Sequence, residues 1–171
     1  MASDLSSGLA LDESGLATYL QAHEAGSHAA EGVAKRLLGR GDLDDTAKSF
    51  LREFVVEIRV ERAHLTSLLD RLEQDQSLLR RGFRAAATAA EVVGRVTAIP
   101  APRPFSDLEA LAIGVWGKRL LWGALKELSD VDDRIAELPL DDLTEQAEHQ
   151  EVELLRLRSG VIVPSLTAQR S

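Results

Sequence analysis

Between Asp44 and Leu72 apolar residues recur at Phe50, Phe54, Ile58, Leu65, Leu68 and Leu72, a spacing that predicts a helix with one buried stripe. At about 100° per residue, Glu61 falls near the middle of that stripe, with Glu57 and His64 on one border. A carboxylate turned inward needs a partner, because an unpaired buried charge costs several kcal/mol or takes up a proton. A metal ion, a basic side chain or water would serve.

The same period recurs along the chain. A first helix is predicted from about Ser14 until Gly39 and Gly41 end it, with Leu16, Leu20, His23, Ser27, Ala30, Ala34 and Leu37 on one face. His23 lies at the centre of that face and Glu24 toward one flank, while His28 and Glu31 point further toward solvent. Ala25, Gly26, Ser27, Ala29 and Ala30 are small enough to admit either a neighbouring helix or a ligand. Asp42, Asp44 and Asp45 supply N-terminal carboxylates for the second helix, so the first two helices form an antiparallel hairpin. A helical pattern from Ser77 to about Val96 stops before Pro100, Pro102 and Pro104.

Ser106 and Glu109 form a capping-box pattern that opens a third long helix, ending near Leu128. Leu108, Leu111, Val115 and Trp122 line one side of it, and Ile113, Leu120, Leu121 and Leu128 another. Apolar residues around so much of its girth predict a central helix or one covered by a second subunit. Lys118 and Arg119 sit at the edge of the apolar arc. A short turn of helix within 130–138 precedes Pro139, and a last helix runs from about Asp141 to Arg158. Gln150 stands mid-stripe there, among Leu143, Ala147, Leu154 and Leu157, while Glu145 and His149 do not. The predicted organisation is a loose tail over 1–13, one helical domain over 14–158 and a C-terminal tail over 159–171. Val161, Ile162, Val163 and Leu166 in that tail would either dock on the bundle or serve as an extended peptide for another protein.

Composition narrows the chemistry. A chain of 171 residues suits one domain, and only 4% aromatic residues among abundant Ala, Leu, Glu and Arg favours an all-α fold. The absence of cysteine excludes disulfides, thiolate metal sites and thiol catalysis. A formal charge of −8 argues against nucleic acid as a partner, and Arg80, Arg81 and Arg84 read as a solvated helix face. Neither a basic n-region with an apolar h-region nor a run of about 18 apolar residues is present, so the expected setting is the cytoplasm, without membrane association. Phosphate-cradling glycine loops and a nucleophile elbow are absent, and Ser27 beside His23 lacks an acid to orient the imidazole.

Four long helices, with a short link after the first and a connection of about thirty residues after the second, resemble the ferritin-like four-helix bundle. Three stretches, YLQAHEAGSHAAEGVAKRL, EIRVERAH and LEALAIGVWGKRLLWGAL, resemble a group of uncharacterised bacterial helical proteins within that class. The resemblance implies a bundle with a long crossover. In active members it also implies two metal ions held by a Glu from each of two helices and a Glu-x-x-His from each of the other two. Glu61-Arg62-Ala63-His64 matches on the second helix, and His23 or Glu24 stands near the right depth on the first. The third helix departs from the pattern with Gly114, Gly117 and Lys118, and the fourth with Gln150.

Three readings follow for His23, Glu57, Glu61, Lys118 and Gln150. In the first, Glu61 or Glu57 pairs with Lys118 or Arg119, and His23 and Gln150 complete a hydrogen-bonded network in place of the metal site, with no catalysis and no cofactor. In the second, Fe, Mn or Zn is held by Glu61, His64 and His23, with Glu57 or Glu24 as a further ligand. In the third, the bundle is an interaction module, a homodimer or a partner-binding protein. It would act through the third helix, where Trp116 points away from Trp122, or through the VIVPSL tail.

Overall fold

In a computed structural model, residues 11–75 and 104–167 are described, and among them every regular element is a helix. They are α1 (Glu13–Leu38), α2 (Asp45–Asp75), α3 (Phe105–Leu128), the single turn α4 (Asp133–Ala136) and α5 (Leu140–Leu166). No helix among the described residues is long and apolar enough to cross a membrane. The helical pattern expected over 77–96 lies outside the described residues.

Short acidic side chains start three of the helices. Asp12 accepts the Gly15 N–H at 3.0 Å, Asp44 the Ala47 N–H at 2.7 Å and Asp132 the Arg134 N–H at 2.9 Å, each satisfying a donor that the first helical turn leaves open. α3 begins differently from expectation. Its N-cap is Pro104, so Ser106 already lies inside the helix and no capping box forms. Glu109 instead receives Arg158 Nη2 from α5 at 2.6 Å, and that guanidinium also stacks 4.6 Å from the centroid of Phe105.

Cross-helix pairs fix the directions. Glu31 meets Arg59 and Arg62, and Glu24 meets Thr66, so α1 and α2 are antiparallel. Arg36 near the end of α1 bonds Asp107 at the start of α3, so these two are antiparallel as well. α2 and α3 therefore run in the same direction, and α5 opposes both through Gln150 with Glu57 on α2 and Asp141 with Lys126 on α3. The order is up, down, down, up. α1 packs mainly along α2 and α3 along α5, and the two pairs close over a core that includes the fully buried Leu20, Leu51, Phe54, Leu68, Leu111 and Trp122.

α5 continues past Arg158 to Leu166, so much of the segment expected to be a tail is helix. Pro164 has no N–H to return to the Gly160 carbonyl, and the last turn closes instead through Thr167, whose N–H and hydroxyl both donate to the Val163 carbonyl. Val161 packs against the core, while Val163 and Leu166 remain exposed.

Candidate functional site: a lysine-centred polar core beside an apolar cavity

Helical spacing on α2 turns Glu57 and Glu61 toward α3 and α5, and Glu61 is 3% exposed. Lys118 reaches in from α3 and donates through Nζ to Glu61 Oε2 at 2.6 Å and to Gln150 Oε1. Gln150, fully buried on α5, donates through Nε2 to Glu57 Oε2 at 2.7 Å and to Glu61 Oε1 at 3.1 Å. Two carboxylates, one ammonium and one amide thus tie three helices together. The ammonium also lies 5.9 Å from the centroid of the Phe54 ring, within reach of a cation–π contact. Burial pushes the Lys118 pKa down, against the opposing pull of Glu61 and Glu57.

The other residues predicted for this core are placed differently. Arg119 turns away from Glu61 and binds Glu148 at 2.9 Å and Glu151, both on α5. One position of sequence, 100° of helix, separates a core lysine from a surface arginine. His23 is half-buried, with its ring edge-on to Tyr19 at 4.7 Å between centroids, and it makes no hydrogen bond to the network. Desolvation lowers its pKa below the ordinary 6.5. His64 is half-buried one turn beyond Glu61 and makes no hydrogen bond among the described residues. Glu24 accepts the Thr66 hydroxyl at 2.7 Å. Among the described residues no three His, Asp or Glu side chains are grouped so as to hold a metal ion.

Sequence periodicity misplaced Glu31. Rather than facing solvent, it is 9% exposed between α1 and α2, where Arg59 Nη2, Arg62 Nη2 and Lys35 Nζ reach it at 2.6, 2.7 and 2.7 Å. Arg62 also donates from Nη1 to His28 Nδ1 at 3.1 Å. Hydrogen bonds from these three cations, Arg59 first, hold the Glu31 carboxyl far below the usual carboxylate range. Lys35 stands four residues on along the same helix, whereas the arginines come from another helix, which periodicity does not identify.

Next to the polar core lies a cavity of about 430 Å³ between α1 and α3, floored by Phe54, Ile58 and Leu65 of α2. His23, Glu61, Arg62 and Lys118 contribute to a wall that is otherwise almost wholly apolar. A Cβ added at Gly26 on α1, or at Gly114 or Gly117 on α3, would meet nothing within 4 Å among the described residues. Trp122 belongs to the inner wall, and its buried Nε1–H has no hydrogen-bond partner among the described residues. Leaving such a donor unmatched costs about 1–3 kcal/mol. Trp116, 54% exposed, stands at the rim with Ile113 and Tyr19.

Comparison with protein-family models, with curated proteins and with solved structures finds no match for the chain.

Proposed function

We propose that the chain is a ferritin-like bundle in which a lysine stands where active members of that class hold metal, and that it acts by binding rather than by catalysis. The up, down, down, up order of the four long helices supports the ferritin-like reading, because that class joins its second and third helices by a long crossover. The contact that carries the proposal is Lys118 Nζ on Glu61 Oε2 at 2.6 Å, with Gln150 completing the set. An ammonium supplies one positive charge in a fixed position. With it in place, Glu61 has one oxygen on Lys118 and the other on Gln150, and the third and fourth helices bring no carboxylate to the network.

The competing proposal, Fe, Mn or Zn held by Glu61, His64 and His23, requires Glu61 to exchange Lys118 for the ion. Elemental analysis of protein purified without added metal separates the two. The expected result is no stoichiometric Fe, Mn or Zn. A stoichiometric metal that disappears in His23→Ala and His64→Ala would overturn the lysine-for-metal reading. An interaction role through Trp116 or through Val163 and Leu166 is the third proposal, favoured by their exposure. A strictly monomeric solution mass with no co-purifying protein counts against it.

A further inference from the structure

We infer that the cavity between α1 and α3 is a binding site for an uncharged, mainly apolar small molecule bearing one hydrogen-bond acceptor, such as a ketone or a hydroxyl. This names a ligand for the binding role proposed above and rests on it, but the metal analysis and the titration described here fail independently of one another.

Four observations converge. The volume, about 430 Å³, lies in the range of small-molecule sites, which are typically apolar with a few placed polar groups and often sit between the helices of a bundle. Glycine is a poor helix residue, yet Gly26, Gly114 and Gly117 all occur inside helices at the cavity wall. No close packing among the described residues requires them, because a Cβ at each position meets none of their atoms within 4 Å. Their effect is to keep the space between the helices open.

The polar groups define the ligand. Glu61 is matched by Lys118 and Gln150, and Arg62 by Glu31 and His28, so the wall offers no uncompensated charge to a charged guest. One wall group within reach of a guest is left without a hydrogen-bond partner among the described residues, the half-buried His23 imidazole, whereas the Trp122 N–H is itself fully buried. A neutral imidazole carries one donor, so an oxygen acceptor on the guest satisfies it. Desolvation favours the neutral form of His23, in keeping with an uncharged guest.

The test uses the full chain and N-phenyl-1-naphthylamine, an uncharged fluorophore that brightens in apolar sites, displaced by three naphthalenes that differ in one group. Saturable binding of one probe per chain is expected, with 2-acetonaphthone displacing it at least about tenfold better than naphthalene or 2-naphthoate. Gly26→Leu and Gly114→Leu extend into the cavity from positions where an added Cβ meets no described atom within 4 Å, so binding should fall at least about tenfold while the thermal midpoint holds or rises. In His23→Phe the ketone's advantage over naphthalene should vanish, with naphthalene affinity itself showing that the cavity persists.

Absence of saturable binding, or unchanged binding in both leucine variants, would overturn the site. Equal displacement by 2-naphthoate, or a ketone advantage that survives His23→Phe, would overturn the ligand class. Half a probe per chain coupled to dimerisation would make the groove an interface with a second copy instead.

Discussion

Lys118 meets Glu61 from a neighbouring helix, with side chains 14% and 4% exposed, so removing either one strands the other away from water. Glu61→Ala is therefore expected to destabilise by about 3 kcal/mol or more, the scale for breaking one side of a buried ion pair, read from the denaturant midpoint at constant m-value. A near-neutral result would mean that the ammonium finds water. His23 gives a prediction in pH. Its folded pKa lies below the ordinary 6.5, so between the two values the unfolded chain binds more protons and stability rises with pH. Stability should thus be complete above about 6.5 and decline as pH falls through the lowered value. His23→Phe should remove that component of the pH profile while leaving the acid loss due to Glu31. The Glu31 carboxyl is held down by Arg59, Lys35 and Arg62, so its contribution is present above its ordinary 4.5 and disappears only at lower pH.

Helix patterning was legible because burial in a bundle follows the 3.6-residue period closely. α1 and α2 lie within a few residues of their expected bounds, and Gln150 and Glu61 are buried as their positions in the apolar stripes require. Helix ends were less legible. A cap depends on which residue leaves helical geometry first, and Pro104 rather than Ser106 takes that place in α3. The expected helix ended near Arg158, yet a proline in the last turn forfeits a single hydrogen bond, and α5 runs on past Pro164 to Leu166. The helical glycines give this scale its prediction. Gly26→Ala and Gly117→Ala should each stabilise by about 0.5–1 kcal/mol, since the added methyl restores helix propensity and meets nothing within 4 Å among the described residues. A loss of stability in chemical denaturation would mean that both positions are packed.

At the scale of the whole molecule, the bundle consists of two helix pairs held by unlike seams. Between α1 and α2 three cations converge on Glu31, and two of them, Arg59 and Lys35, are about half exposed and screened by solvent. Between α2, α3 and α5 the charges are buried around Lys118. Added salt should weaken the first seam and scarcely touch the second, because buried pairs are screened far less. Glu31→Gln is then expected to cost less in 1 M than in 0.05 M salt, whereas the cost of Glu61→Ala changes little. A long-range partnership such as Glu31 with Arg59 and Arg62 was not readable from periodicity, which ranks residues by facing but does not say which helix lies opposite. The cavity was foreshadowed only by the small residues of α1, since its volume depends on how far α3 stands from α1.

The central claim is that Lys118 and Glu61 act as one unit in the core of the bundle. A double-mutant cycle of Glu61→Gln and Lys118→Met tests it most directly, by equilibrium unfolding of the parent, both single variants and the double variant in the presence of chelator. A coupling of about 1.5–3 kcal/mol is expected, the upper part of the range for residues in one hydrogen-bonded network. A coupling below about 0.5 kcal/mol, as found for independent sites, would contradict the account.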